Sequence, residues 1–357
     1  MRIMTKAEKI AAFDPNSPGD PNSSIYGLPF TCDEADTVVV PVPWDVTVSY
    51  SDGTANGPEA IFEASFQVDL YDPYVKDAWK SGIAIDELPV RVKAKSEELR
   101  EKAKLYIDAI INGEDPEQKP ELKAILNAVN AACVELNGHV NDRTGHWLDK
   151  GKCVALLGGD HSTPFGFFEA LAARNDSFAI LQIDAHADLR EAYEGFTFSH
   201  ASIMYNALRI PQISKLVQVG IRDYCQAEAE LVENSNGRVV TFYDRDIKQA
   251  AYAGRSWAEQ CSIIVNELPQ KVYISFDIDG LDPKLCPNTG TPVAGGFEFE
   301  QAVYLMQQVV ESGRTILALD LNEVAPDPNG LNEWDANVGA RLLQRMCHLM
   351  ARSQKKI

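Results

Sequence analysis

The sequence predicts an α/β fold in which helices cover both faces of a mainly parallel sheet. From residue 152 onward, short apolar runs rich in Val, Ile and Leu alternate with segments of helical periodicity. Continuous apolar strands separated by helices are typical of a parallel sheet that is buried on both faces. A length of 357 residues is sufficient for one large domain of this kind.

The elements follow one another in a regular order. Residues 1–34 are rich in Pro, Ser, Asn and Asp, so we predict an irregular N-terminal arm, with the domain itself over 35–357. A first strand is predicted at 37–44, and a turn-rich loop follows it over 45–61. The later strands are predicted at 152–160, 177–184, 214–221, 270–279 and 314–323. Helices are predicted over 95–111, 121–136, 164–174, 254–267 and 298–312.

Composition and charge exclude several classes of protein. Apolar residues make up 45% of the chain, and the formal net charge of −19 disfavours nucleic acid or an anionic membrane as a partner. The N-terminus lacks the apolar segment of a signal peptide, and no stretch approaches 18 apolar residues. The seven scattered cysteines form no C-x-x-C pair and resemble reduced thiols. We therefore expect a cytoplasmic protein.

Four of the predicted strands end in acidic residues or histidine. The segments are GGDHS with Asp160 and His161, DAHAD with Asp184, His186 and Asp188, DID with Asp277 and Asp279, and LNE with Glu323. Polar residues at every second position lie on one face of an extended chain. The carboxyl ends of parallel strands meet at one edge of a sheet, where ligands bind. The sequence therefore predicts that these groups converge.

A crevice with so many carboxylates requires cations, because like charges at close range cannot all ionise. Carboxylate and imidazole ligands suit Mn²⁺, Fe²⁺, Ni²⁺, Co²⁺ or Zn²⁺, and the lack of thiolates disfavours a structural zinc site. Six candidate ligands favour two ions over one. Two such ions can share and activate a hydroxide for attack on an electrophilic carbon or phosphorus. A single D-x-D is more often a solvated strand end, but four clusters together favour a metal site.

The segments GGDHS, DAHADLR and SFDIDGLDP, in this order, resemble the three signatures of the ureohydrolases, the family of arginase and agmatinase. The resemblance extends from about residue 36 to 350. It implies a three-layer α/β/α sandwich and a binuclear, usually manganese, centre that hydrolyses a guanidino group to urea. By motif position, it implies one metal held by His161, Asp184, Asp188 and Asp277, and a second held by Asp184, His186, Asp277 and Asp279.

The same resemblance implies roles for three further side chains. Glu323 matches the family glutamate that pairs with the substrate guanidinium, a planar cation that a carboxylate can bind with two hydrogen bonds. His200 in TFSHAS matches the histidine that moves protons to the leaving amine, a role that suits an imidazole titrating near neutrality. A loop histidine without a catalytic role is the alternative. Asp188 is the expected proton relay to the departing nitrogen.

The substrate is harder to predict than the reaction. The segment DLREAYEGFTFSHAS resembles the agmatinase branch, and no match is found for the groups with which arginases bind an α-carboxylate. Trp44 and Trp334 could shorten the pocket or stack on a planar cation, or could pack in the core or a subunit interface. In three features, namely the long N-terminal arm, Thr47 and Trp334, the sequence resembles the guanidine hydrolases. The resemblance implies a branch of the family that prefers nickel. The expected substrate is free guanidine, with agmatine second and a guanidino acid third.

Two rival classes remain open at this point. The histone-deacetylase-like amidohydrolases share the fold but use one catalytic metal, and the complete set of six ligands disfavours them. A non-catalytic regulator with the same fold would be expected to lose metal ligands, and none is lost here. The resemblance also implies a homo-oligomer, a trimer or a hexamer, in which the N-terminal arm could contact a neighbouring subunit.

Overall fold

A computed structural model describes residues 4–357, and an eight-stranded, all-parallel sheet forms its centre. The strands are β1 (Thr37–Val42), β2 (Ile83–Ile85), β3 (Cys153–Gly158), β4 (Phe178–Ile183), β5 (Ile213–Ile221), β6 (Val239–Tyr243), β7 (Lys271–Asp277) and β8 (Thr315–Asn322). Across the sheet their order is β2-β1-β3-β8-β7-β4-β5-β6. The strands β3, β8, β7 and β4 are therefore adjacent at the middle of the sheet.

Eleven α-helices are found among the described residues. They are α1 (Lys6–Ala12), α2 (Gly57–Ser65), α3 (Val90–Ile111), α4 (Pro120–Asp149), α5 (Phe165–Ala172), α6 (Ile203–Ala207), α7 (Gln226–Asn234), α8 (Asp244–Tyr252), α9 (Trp257–Asn266), α10 (Phe299–Glu311) and α11 (Trp334–Ser353). Helices α3 to α7 pack on one face of the sheet, and α2 with α8 to α11 pack on the other.

Alternation along the strands produces these two cores. In β3, Val154 and Leu156 face one helical layer, whereas Ala155 and Leu157 face the other. All of these side chains are fully buried, as a parallel sheet between two helical layers requires. The predicted three-layer α/β/α fold is confirmed.

The structure adds elements that the sequence pattern did not reveal. Strands β2 and β6 lie at the two edges of the sheet, where only short apolar runs are needed. The arm over 1–34 is not wholly irregular, which corrects that expectation. Thr5 and Glu8 form a reciprocal capping box that starts α1. Tyr26 and Leu28 are buried in the core, so the described part of the arm packs against the domain.

Two expectations about composition can be compared with the structure. All seven cysteines are free thiols, without a disulfide among them. Within residues 4–357, no helix has the length and apolarity that crossing a bilayer demands.

A buried charge cluster joins α11 to the chain that follows α2. Asp72 pairs with His348 Nδ1 at 2.8 Å and with the Arg345 guanidinium at 2.9 Å. Burial of the carboxyl group opposes its ionisation, but the hydrogen bond from His348 and the charge of Arg345 prevail and lower the pKa of Asp72 to about 2. The ionised Asp72 therefore stabilises the packing of α11.

This cluster predicts how stability changes in acid. Because the folded pKa of Asp72 lies below its usual 3.8, its contribution is complete above pH 4 and disappears as the pH falls toward 2. We expect Asp72→Asn to lower the free energy of unfolding by roughly 2 kcal/mol at pH 6. Urea unfolding of both proteins with a chelator present, between pH 6 and pH 2.5, measures the difference. The exposed Asp69→Asn is the matched control and should have no effect. A loss that persists unchanged at pH 2.5 would contradict this origin.

Candidate metal centre and substrate cavity

The strand register brings the predicted ligands to one edge of the sheet. In the β4–β7 pair, Ile183 lies opposite Phe276, so Asp184 and Asp277 follow at the same level. On the other side of β7, Asp277 lies opposite Asn322, directly before Glu323. His161 enters the same edge from the end of β3, which pairs with β8. The convergence predicted from four strand ends is therefore what the structure shows.

A first group of ligands surrounds His161. Its Nδ1 lies 3.0 Å from Asp184 Oδ2, 3.1 Å from Asp188 Oδ2 and 3.3 Å from Asp277 Oδ2. All four residues are buried. Three carboxylate oxygens around one nitrogen exceed what a single proton can satisfy. This group matches the set predicted for the first metal.

The hydrogen bonds behind His161 are those expected of a metal-ligating histidine. The Ser275 hydroxyl donates to Asp320 Oδ1 at 3.0 Å, so its oxygen is left to accept from His161 Nε2–H at 2.9 Å. With its proton on Nε2, the ring presents a bare lone pair at Nδ1, which has no hydrogen-bond partner. A lone pair among carboxylate oxygens is repulsive without a cation. The residues present therefore fit a divalent metal ion.

A second group lies beside the first and shares Asp184 with it. His186 Nδ1 lies 3.0 Å from Asp279 Oδ2 and 3.7 Å from Asp184 Oδ1. Asp279 Oδ1 accepts from the Ala185 N–H, whereas Asp279 Oδ2 is buried without a hydrogen-bond partner. Ligand atoms of Asp184, His186 and Asp279 all lie within 4.8 Å of one another. A carboxylate that belongs to both groups is the expected bridge between two ions.

The crowding of carboxylates is visible in their acidity. Burial, followed by the charges of Asp279 and Asp184, raises the pKa of Asp277 well above its usual range. Burial and the charge of Asp184 also raise the pKa of Asp188, to about 7. Metal ions would remove this repulsion and keep the carboxylates ionised.

Backbone strain and close packing position the ligands. Asp188 and Glu323 both adopt left-handed conformations, with φ of 54° and 63°, which non-glycine residues rarely adopt. Such strain concentrates at functional sites. The two glycines of GGDHS allow close approach. A Cβ at Gly158 would lie 1.9 Å from Asn322 Oδ1, and a Cβ at Gly159 would lie 2.0 Å from a backbone oxygen of Trp44.

Asp160 has a structural place next to the metal ligands. Its Oδ1 accepts from the Ser162 N–H at 2.9 Å, and its Oδ2 accepts from Thr47 Oγ1 at 3.4 Å. Burial raises the pKa of Asp160 to about 6. The carboxyl group thus shapes the turn that presents His161.

Glu323 reaches the centre but does not line a cavity. Its Oε1 accepts from the His161 N–H at 2.8 Å. Burial, followed by the charge of Asp160, raises the pKa of Glu323 well above its usual range. Pairing with a guanidinium would favour the ionised form, so the predicted role of Glu323 is physically consistent and stays a prediction.

A cavity of about 160 Å³ opens above the ligands His186 and Asp188. Its other lining residues are Ser49, Arg190, Tyr193, His200, Ala201, Asp223, Tyr224, Glu228 and Thr291. His200 is partly buried, with Nδ1 3.2 Å from Ser199 Oγ and Nε2 3.4 Å from Ser49 Oγ. The cavity therefore joins the metal ligands to the predicted catalytic histidine.

The acidity of His200 differs from the near-neutral value expected from sequence. Burial, followed by the proximity of His186, lowers the pKa of His200 to about 3. The imidazole is therefore neutral at physiological pH. It can accept a proton or a hydrogen bond, but it does not hold a proton in advance.

The three residues proposed to shape the pocket have different positions. Thr47 is fully buried, and its Oγ1 accepts from the His200 N–H at 3.4 Å. Trp44 is buried in the core beneath α3 and α4 rather than in the cavity. Trp334 is 47% exposed, and its indole donates to the Lys284 carbonyl. Neither tryptophan lines the cavity, so a substrate contact from Trp334 stays a prediction.

Sequence reasoning missed the residues that support the ligands. Ser275 precedes Asp277 by two positions, and Gln182 precedes Asp184 by two and donates to its Oδ2 at 2.8 Å. Asp320 lies in the apolar run of β8 and is fully buried. The signal was available, because a polar residue two positions before a ligand lies on the same face of the strand. The cavity residues Tyr193 and Tyr224 come from loops and carried no comparable signal.

The support from Ser275 can be tested through metal binding. Ser275→Ala removes the acceptor of the His161 Nε2–H, so the ring loses its orientation. We expect the affinity for Mn²⁺ to fall about 10- to 100-fold. Competition with a chromophoric chelator measures the affinity. Ser214→Ala, on β5 away from the centre, should bind like the wild type. Unchanged affinity in Ser275→Ala would contradict the assigned orientation.

Comparison with curated proteins identifies relatives of known activity. The chain is 27% identical over 294 residues to an N(1)-aminopropylagmatine ureohydrolase from Synechocystis sp., with 82% of each chain covered. It is 28% identical over 295 residues to an agmatinase from Bacillus anthracis, which covers 82% of this chain and 85% of the relative.

Solved structures have the same fold. An agmatine ureohydrolase from Thermoplasma volcanium superimposes with a TM-score of 0.68 at 21% identity, covering 98% of this chain and 99% of the other. Arginase from Bacillus subtilis gives 0.60 at 20% identity, with coverage of 87% and 98%. The model of the arginase family matches residues 35–348. The chain therefore belongs to the arginase family of binuclear metal-dependent ureohydrolases, and it is a hydrolase that acts on amidino C–N bonds of guanidino compounds.

Proposed function

We propose that free guanidine is the substrate of this ureohydrolase, which converts guanidinium and water into urea and ammonium. The cavity above the metal ligands carries the proposal. Ala201 is the one aliphatic residue that the described part of the chain contributes to its lining, and the remainder is polar, charged or tyrosine. A small planar cation can hydrogen-bond to the polar side chains of such a cavity and stack on its tyrosines.

The side chains of the metal centre and the cavity have separate roles in the proposed reaction. When bound, two divalent ions supply hydroxide from water at neutral pH and neutralise the ligand carboxylates. His161, Asp184, Asp188 and Asp277 would hold one ion, and Asp184, His186, Asp277 and Asp279 the other. Glu323 lies outside the lining of this cavity, and we propose that it pairs with the guanidinium where the substrate reaches the metal ligands. Neutral His200 accepts a hydrogen bond from a substrate nitrogen and passes protons between the cavity and solvent.

Agmatine is the second candidate, because one wall of the cavity is acidic. Asp223 is exposed at the mouth, where its carboxylate could bind the terminal ammonium of a longer substrate. The names of the curated relatives favour an agmatine-type substrate as well. The guanidinium of Arg190 lies 4.8 Å from the Tyr193 ring in the same cavity and would repel either cationic substrate, so it does not separate the two candidates.

The remaining properties are part of the same proposal. The oxygen and imidazole ligands accept Mn²⁺ or Ni²⁺ equally well by type, so we propose a pair of either ion. The absence of thiolates in the ligand set and the free cysteines are consistent with a reducing, cytoplasmic environment. We also propose assembly into a trimer or hexamer that acts on a small cationic substrate and binds neither nucleic acid nor membrane.

The proposal is tested by urea release from a panel of substrates. The panel contains guanidine, agmatine, 4-guanidinobutyrate and arginine, each assayed with enzyme loaded separately with Mn²⁺ and Ni²⁺. We expect guanidine to have the highest kcat/KM. Asp223→Asn is the matched variant: it should slow turnover of agmatine by a larger factor than turnover of guanidine.

The outcomes separate the candidates. Urea from agmatine but not from guanidine, together with sensitivity to Asp223→Asn, would replace guanidine by agmatine. Activity on arginine alone would overturn the assignment to the agmatinase-like branch.

A further inference from the structure

Three residues on one side of helix α3 bind the loop of residues 45–53, which contributes Ser49 to the wall of the cavity. Ser96, Arg100 and Lys104 are spaced four residues apart, so they lie along the same side of the helix. All three contact the loop of residues 45–53, which follows β1. None of these residues is a metal ligand or lines the cavity. These three side chains therefore have no direct role in the proposed reaction.

Arg100 makes the closest contacts of the three. Its Nη1 donates to the carbonyl oxygens of Val48 at 2.5 Å and of Val46 at 3.2 Å, on either side of Thr47. Its Nε lies 3.5 Å from Asp52 Oδ2. The side chain is only 8% exposed. A buried guanidinium that donates to backbone carbonyls fixes the path of the chain, because these donors lose water only if the carbonyls stay in place.

The neighbours of Arg100 close the loop at both ends. Ser96 Oγ accepts from the Asp45 N–H at 3.1 Å. Asp45 Oδ2 in turn accepts from the Gly53 N–H at 2.9 Å, which joins the two ends of the loop. Lys104 pairs with Asp52 at 2.6 Å.

The opposite side of the loop has only long contacts with the site. Thr47 Oγ1 lies 3.4 Å from Asp160 Oδ2 and from the His200 nitrogen, and Ser49 Oγ lies 3.4 Å from His200 Nε2. Contacts of this length are weak and cannot set the position of a loop. The shortest contacts that reach the loop from outside it come from α3.

We propose that Arg100 is a positioning residue for substrate binding, which holds the 45–53 loop against His200 and so sets the width of the guanidino-binding cavity. This inference rests on the proposed function of the cavity. Because Arg100 touches neither the metal ligands nor the substrate, its loss should widen the cavity and leave the metal centre intact. Binding should therefore weaken more than the chemical step.

The main test compares Arg100→Met with Arg91→Met. Both substitutions remove an arginine from α3, but Arg91 is exposed and has no contact with the loop. For the substrate that wild-type enzyme turns over best, we expect Arg100→Met to raise KM about tenfold with less than a threefold change in kcat. The bound metal per chain should stay at the wild-type value, and Arg91→Met should match the wild type throughout.

The division between KM and kcat separates positioning from a merely structural role. General misfolding lowers the active fraction, so it reduces the apparent kcat and leaves KM unchanged; that result would overturn the proposal. Arg100→Lys keeps one cationic donor and should restore part of the loss in KM. Ser96→Ala, which removes only the hydroxyl that hydrogen-bonds the N–H and Oδ1 of Asp45, should fold in any case and raise KM about threefold to fivefold. An unchanged KM in Ser96→Ala and Arg100→Met together would also overturn it.

Hydrogen exchange provides a readout that is independent of turnover. In Arg100→Met, the amides of residues 46–53 should exchange faster than in the wild type, whereas those of α11 should not change. If the wild-type enzyme releases urea from no guanidino compound, the proposed function fails, but this exchange pattern still decides whether Arg100 holds the loop. Unchanged exchange in the 45–53 loop would contradict the role of Arg100.

Discussion

The structure depends on the concentration of negative charge at the carboxyl ends of four adjacent strands. Asp184, Asp188, Asp277 and Asp279 are all buried there, together with His161. Buried like charges at this density are strongly unfavourable without compensating cations. The sheet can hold them in place because its own stability comes from the two apolar cores on its faces. The free energy gained from the two apolar cores therefore offsets the repulsion among the carboxylates and holds them in the arrangement that binds metal.

Successive layers of residues then turn a charged cluster into a defined site. Buried polar side chains beneath the ligands, such as Ser275 and Gln182, fix the orientation of His161 and Asp184. Loops above the ligands bring His200 and the two cavity tyrosines to the open side of the centre. Helix α3 contacts a further loop, residues 45–53, which contributes Ser49 to the cavity. The candidate metal ligands lie at or shortly after the ends of buried strands, whereas the other residues that line the cavity lie on loops whose position depends on more distant contacts.

The metal centre was predictable because its signals are local in sequence. Asp184, His186 and Asp188 alternate directly after an apolar run, and strand geometry alone places them on one side. The family model and the superimposed structures agree with the fold that those motifs implied. The binuclear ureohydrolase assignment therefore followed from a few short segments. The capped helix α1 and the edge strands were missed, because single caps and short edge runs are weak signals against tertiary packing.

The pocket was not predictable in the same way. Trp44 looked able to shorten it, but the residue packs in the core beneath two helices. The pKa of His200, which was expected to titrate near neutrality, is lowered to about 3, chiefly because burial disfavours the charged imidazole. The contacts of Arg100 join residues about 50 positions apart, and no pattern in a single sequence reports such a pairing. We therefore propose that substrate choice depends on such long-range contacts.

Anomalous X-ray scattering from crystals of the metal-loaded enzyme tests the central claim most directly. The account predicts two ions per chain, roughly 3.5–4 Å apart, with oxygens of Asp184 and Asp277 bound to both. A single ion, or two ions that share neither carboxylate, would contradict it.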